Sequence, residues 1–200
     1  MQLSVPNILS LSRIIVAPVF LFLFLSKDPN LVAFSCVLFL IGALSDYFDG
    51  WYARKYNIAS DWGVFIDPLA DKILTSAGFI AYVMLGLVPF WMILIIIIRD
   101  FSITFFRLFA DSHNLTIRTS NSAKWKTFLQ FVFLAYIQIF IFIDKLNLFN
   151  LSKETIYKII HSDFTYYSIL FLTLLTIYTF YKYLRDNKSV VNKLFGFEIN

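Results

Sequence analysis

Charge is scarce in this chain, and cysteine and histidine are scarcer still. Of its 200 residues only 15% are Asp, Glu, Lys or Arg, whereas a soluble domain carries about 25%. A surface facing water on all sides is therefore excluded. The one cysteine, Cys36, lies within an apolar run, which excludes an intramolecular disulfide framework. It reads as a small apolar filler. The two histidines, His113 and His161, fall in polar connections expected on opposite sides of a membrane, so they cannot share a metal site. No internal repeat, low-complexity tract or second domain is visible, and residues 1–200 read as a single domain. The first apolar run has no basic region before it and no small-residue cleavage pattern after Leu25. It is expected to be a retained span and not a cleaved leader.

What the chain has instead is apolar length. Hydrophobic residues make up 59%, aromatic residues 20%, and the mean hydropathy is +0.72. A hydrocarbon core of about 30 Å needs roughly 20 apolar residues per helix. Six segments meet that length, at residues 5–25, 31–51, 68–88, 90–110, 123–143 and 165–183. They are too long, and alternate too little, for barrel strands of about ten residues. The expected fold is all-α and polytopic, with six transmembrane helices around a polar cavity open to the cytoplasm. A short amphipathic helix is expected at residues 150–161, capped by Ser152, with Glu154 and Lys158 one turn apart.

Lys and Arg set the orientation. Six spans put both termini on one side, together with Arg54, Lys55, Arg118, Lys124, Lys126, Arg185, Lys188 and Lys193. The other side holds only Lys27, Lys145, Lys153 and Lys158. The first side is expected to be cytoplasmic. Trp51, Trp91 and Trp125 lie near span ends, where an aromatic belt is expected. The formal charge of +4 fits loops that face anionic lipid, with no nucleic acid as partner.

The chemistry-bearing stretch begins at Ser45 and ends at Lys72. Asp46 and Asp49 are three apart at the end of the second span, and Asp67 and Asp71 are four apart at the start of the third. Residues so spaced share a helix face, so two helix ends can aim four carboxylates at one another. Clustered anions beside lipid need cations. Hard oxygen donors suit Mg²⁺, and four carboxylates suffice for two ions that clamp phosphate oxygens. Gly50 and Gly63 permit close approach of a ligand to the backbone, and Arg54 can donate to a phosphate. Pro68 fits the first turn of a helix that Asp67 would cap.

These residues resemble the CDP-alcohol phosphatidyltransferase family, whose motif is D-x2-D-G-x2-A-R-x8-G-x3-D-x3-D. Asp46, Asp49, Gly50, Ala53, Arg54, Gly63, Asp67 and Asp71 fill every fixed position. The resemblance implies two Mg²⁺ or Mn²⁺ ions, with Asp46 and Asp67 touching both, Asp49 one and Asp71 the other. It implies Asp71 as the general base, and Gly50, Arg54, Ser60, Gly63 and Asn7 as contacts of the CDP-lipid. It also implies CDP-diacylglycerol as donor, a homodimer, and a place in the bacterial cytoplasmic membrane.

The acceptor is read from cations. Arg99 and Arg107 on the fourth span are eight apart, within about 80° of each other around the helix. Lys124 and Lys126 open the fifth span. Cations beside a metal site suit an anionic acceptor such as a sugar or glycerol phosphate. Arg99 follows four isoleucines in mid-span, where an unpaired cation is costly. A structural pair with Asp100 or with an aspartate of another helix would offset that cost, but adjacent residues point apart, so the expected partner is on another helix or on a ligand. The V-P-N-I-L-S-L-S-R, F-D-P-L-A-D-K and K-W-K-T runs resemble family members that use glycerol 3-phosphate, although Ala123 stands where those have glycine. Neighbouring groups use phosphatidylglycerol, inositol phosphate or serine. A small ion-coupled transporter is the rival of another class; its acids would sit near the bilayer midplane in a repeated fold.

Overall fold

The computed structural model describes residues 5–56, 61–113, 115–118 and 120–195, without the side chains of residues 5–7, 9, 46–56, 61–65, 150 and 195. Among the described residues there is no strand. The long helices are α1 (Val5–Phe24), α2 (Pro29–Tyr56), α3 (Asp61–Met84), α4 (Phe90–Ser112), α5 (Asn121–Lys145) and α7 (Asp163–Asp186). Two short helices, α6 (Lys153–Ile160) and α8 (Lys188–Phe195), and a 3₁₀ turn at Leu148–Asn150 complete the order.

Two helical stretches, Asn121–Lys145 and Lys153–Asp186, are long and apolar enough to cross a membrane, and Ser10–Phe24 and Pro29–Ser45 are shorter apolar helices. Helix α4 is long enough, but Arg99, Asp100 and Arg107 interrupt its apolar run. Its charges are thus what separates it from a simple lipid span, and they point to a task inside the protein.

Helix α1 packs along both α2 and α3. Phe20 and Phe24 of α1 meet Phe39 of α2 and Tyr82 of α3, with ring centroids 5.0–6.0 Å apart. Tyr82, fully buried, donates its hydroxyl to the Leu134 carbonyl of α5 at 2.6 Å. Gly78 lets α3 approach its neighbours closely, since a Cβ there would meet Leu134 Cδ2 at 3.0 Å and Phe39 Cε2 at 3.1 Å. Helix α3 ends where Gly86 takes φ +71°. Leu87 N–H then reaches Tyr82 O and Gly86 N–H reaches Val83 O, both at 2.9 Å, a glycine-terminated helix end just before Pro89.

Three buried threonines of α7 satisfy their hydroxyls on their own helix. Thr173 donates to Ile169 O at 2.8 Å, Thr176 to Leu172 O at 2.7 Å and Thr179 to Thr176 O at 3.1 Å. Polar side chains in an apolar bundle require such internal partners.

The structure corrects the expected start of the third helix. Helix α3 begins at Asp61, so Pro68 lies inside it. Asp67 therefore does not cap a helix. Pro68 has no N–H for the carbonyl four residues earlier, and the helix runs through it regardless. Helix α6 matches its expectation. Ser152 Oγ accepts from Thr155 N–H, and Lys158 Nζ lies 2.7 Å from Glu154 Oε1. His113 and His161 are exposed, Cys36 is buried, and Trp91 and Trp125 are exposed at helix starts.

Candidate functional site

Asp67 and Asp71 lie one turn apart on α3, and the facing surface of α1 carries matching groups one turn apart. Ser10 Oγ donates to Asp67 Oδ1, and Arg13 Nη1 donates to Asp71 Oδ1. Arg13 Nη2 also donates to Ser10 Oγ at 3.2 Å. Spacing i,i+3 on one helix thus meets i,i+4 on the other. Arg13 is 1% exposed, whereas the Asp71 side chain is 30% exposed. The carboxylate opens toward a cavity from which its cationic partner is hidden.

Asp46, Asp49, Gly50 and Arg54 fall in the last turns of α2, Gly63 in the first turn of α3 and Asn7 in that of α1. The side chains of these residues, and Ser60 altogether, lie outside the described residues.

A second cluster sits on α4. Asp100, 5% exposed, accepts from four side chains or faces them. Lys126 Nζ of α5 and Arg99 Nη1, the latter at 3.0 Å, share its Oδ1. Gln130 Nε2 at 3.3 Å and Lys72 Nζ at 3.9 Å lie on its Oδ2. Arg99 Nη2 also donates to Thr179 Oγ1 of α7 at 3.1 Å. Arg99 thus has the expected partner on another helix, and the pair with adjacent Asp100 forms beside it. A guanidinium on a long stem reaches back to Asp100 while its other end engages α7, so both the adjacent pair and the cross-helix partner form.

One cavity of about 770 Å³ joins the two clusters. Asp67 and Asp71 line one part of it, and Lys72, Arg99, Asp100, Arg107 and Lys124 line the rest. Of the four cations expected to meet an acceptor phosphate, Arg99, Arg107 and Lys124 thus reach the cavity wall. Lys126 is 0% exposed and sits behind that wall, with its ammonium on Asp100. A mostly apolar cavity of about 690 Å³ opens between α4 and α7 and shares Ile103, Leu108 and Tyr183 with the polar one.

Sequence reasoning assigned no role to Ser10, Arg13 or Lys72, and weighed Asp100 only as a structural partner of Arg99. Arg13 carried a readable signal, because a cation inside an apolar run must find an anion. Lys72 and Asp100 carried less, because nothing in a linear pattern shows which helix faces meet.

The carboxylates and cations together suit phosphate chemistry. Asp67 and Asp71 offer hard oxygen donors of the kind a divalent cation takes, and Arg and Lys offer charge-assisted donors to phosphate. The sequence profile described as CDP-alcohol phosphatidyltransferase matches residues 3–181. The chain belongs to the CDP-alcohol phosphatidyltransferase family. It is an enzyme of that type and a membrane protein. Its relatives include the CDP-diacylglycerol–glycerol-3-phosphate 3-phosphatidyltransferase of Bacillus subtilis (strain 168), 34% identical over 141 residues, which are 64% of this chain and 73% of that protein. The protein of the same name from Rickettsia typhi is 31% identical over 179 residues, 90% of this chain and 96% of its own length. The one from Mycoplasma pneumoniae is 33% identical over 149 residues, 66% of each chain. Members of this family are generally dependent on divalent metal, and the two described aspartates fit that requirement.

Proposed function

We propose that this phosphatidyltransferase moves the phosphatidyl group of CDP-diacylglycerol onto glycerol 3-phosphate, yielding phosphatidylglycerophosphate and CMP. The observation that carries the reading is the single cavity in which two motif aspartates, Asp67 and Asp71, face Lys72, Arg99, Arg107 and Lys124. The names of the Bacillus, Rickettsia and Mycoplasma relatives support the same donor and acceptor.

The chemistry divides among the residues. Asp46, Asp49, Asp67 and Asp71 would hold two Mg²⁺ or Mn²⁺ ions, which offset charge on the pyrophosphate. Asn7, Gly50, Arg54, Ser60 and Gly63 would hold the CDP moiety. Arg99, Arg107 and Lys124 bind the acceptor phosphate by charge-assisted hydrogen bonds, and Lys126 supports them from behind. Ser10 and Arg13 fix the carboxylates of Asp67 and Asp71 against α1. Asp71 takes the proton of the acceptor hydroxyl. The acceptor oxygen then bonds to the phosphorus that carries diacylglycerol, the bond from that phosphorus to the bridging oxygen of CMP breaks, and CMP leaves with the electron pair. The apolar cavity between α4 and α7 suits an acyl chain of the lipid while its head group occupies the polar one.

The same reading makes the chain one domain of six transmembrane helices, with α6 and α8 lying outside the bilayer core. Both termini and the polar cavity face the cytoplasm, where CDP and glycerol 3-phosphate are dissolved. The bacterial inner membrane is its place and the homodimer its state.

Detergent-purified protein with CDP-diacylglycerol and Mg²⁺ is offered glycerol 3-phosphate, phosphatidylglycerol, inositol phosphate or serine in turn, and CMP release is measured. Glycerol 3-phosphate is expected to support release and the others to remain near background. Turnover with phosphatidylglycerol instead would make the enzyme a cardiolipin synthase. Silence with every alcohol would remove the transferase reading of the site.

A further inference from the structure

A carboxylate with 5% exposure on an apolar helix is costly unless charges and hydrogen bonds match it. Asp100 has more than it needs. Lys72, Arg99 and Lys126 are three cations from three helices sharing this one carboxylate, so the cluster carries two surplus positive charges. Arg99, itself only 8% exposed, has a buried Nε with no hydrogen-bond partner. Its guanidinium plane is fixed at two points, by Asp100 through Nη1 and by Thr179 through Nη2. A buried ion pair whose only task was to neutralise Lys126 would need one cation and one anion. This cluster instead holds an unsatisfied donor and excess charge at the wall of a cavity, the arrangement that receives an anion.

We propose that Asp100 is a positioning residue for the acceptor's phosphate: it holds Lys72 of α3 and Arg99 of α4 at one wall of the polar cavity and Lys126 of α5 behind that wall, leaving two positive charges for a phosphate dianion. The inference rests on the reading of the acceptor as a phosphorylated alcohol. Asp100 touches no reacting atom. Its effect passes through the Arg99 plane and through Lys72, which adjoins Asp71 in sequence and so ties the phosphate to the turn of α3 where the proton is taken. The carboxylate also separates three like charges that would otherwise repel across a low-dielectric wall.

The test reads binding apart from turnover. Uptake of inorganic phosphate by the detergent-purified full chain is measured by calorimetry, and thermal midpoints are recorded alongside. Native protein is expected to bind phosphate. Asp100→Asn is expected to bind it about tenfold more weakly, the size of one lost charge-assisted hydrogen bond, and to melt earlier. Asp100→Asn combined with Lys126→Met removes the buried cation that the lost carboxylate had matched. That double variant is expected to regain the native midpoint, as uncharged replacements of buried pairs do, yet to keep the weak phosphate binding. Asp100→Glu, which retains the charge, is expected to bind within about threefold of native. Native phosphate affinity in the double variant would show that Asp100 merely neutralises Lys126, and would overturn the proposal. Absence of phosphate binding in native protein would overturn it too. If native protein binds phosphate but releases no CMP with glycerol 3-phosphate, the role of Asp100 stands and the choice of acceptor falls.

Discussion

Two arginines inside apolar helices explain more of this protein than its many aromatic residues do. Arg13 and Arg99 are each costly in a bundle of lipid-facing helices, and each is anchored to an aspartate, Arg13 to Asp71 and Arg99 to Asp100. Their positions could be read from the sequence as anomalies. The partner of Arg13 on α3 and that of Arg99 on α7 could not, because a run of residues shows which face of a helix is apolar and not which neighbour that face meets. The common face of Asp67 and Asp71 was legible for the opposite reason: four residues apart on one helix, their spacing fixes it. Asp71→Asn keeps the size of the side chain but removes both an acid-base group and an anionic oxygen. It is expected to lower the rate of CMP release at least roughly 10²–10⁴-fold while leaving binding of CDP-diacylglycerol within a few-fold of native, as steady-state kinetics and a binding titration with the lipid would show. Near-native turnover in Asp71→Asn would take the base assignment away.

At the scale of elements, the helix ends show where local signals are decisive and where they are not. The Ser152 cap of α6 and the break before Pro89 were readable, because each depends on side chains or backbone freedom within a few residues. The start of α3 was not. Proline reads as a helix-start residue, but α3 begins at Asp61 and contains Pro68, so tertiary packing against α1 outweighs the local preference. Helix packing was equally hidden. Gly78 gave no turn signal, and its role is contact, since Leu134 and Phe39 already lie at the limit of approach. Gly78→Val forces β-branched bulk between α3, α2 and α5. It is expected to destabilise the fold by about 1–3 kcal/mol, seen as a lower thermal midpoint of the detergent-purified protein. The shift should be larger than for Gly86→Asn, where the left-handed backbone tolerates Asn and no atom lies within 4 Å of a Cβ.

Across the whole molecule, function follows from where charge was allowed to enter. Asp67, Asp71 and Lys72 of α3, Arg99, Asp100 and Arg107 of α4 and Lys124 of α5 converge on one cavity, while the aromatic core of α1, α2 and α3 and the internally bonded threonines of α7 lie elsewhere. The all-helical class was legible from apolar run length alone. The cavity was not, since it arises from faces of four helices, α3, α4, α5 and α7, spread from Asp67 to Tyr183. The proposed chemistry requires that Asp46 and Asp49 of α2 and Asp67 and Asp71 of α3 gather divalent ions beside those cations. The most direct measurement counts Mn²⁺ bound per chain by electron paramagnetic resonance, in native protein and in Asp67→Asn. Two ions per native chain, with at least one lost in Asp67→Asn, is the expected result; native protein that binds no Mn²⁺ in the presence of CDP-diacylglycerol would contradict it.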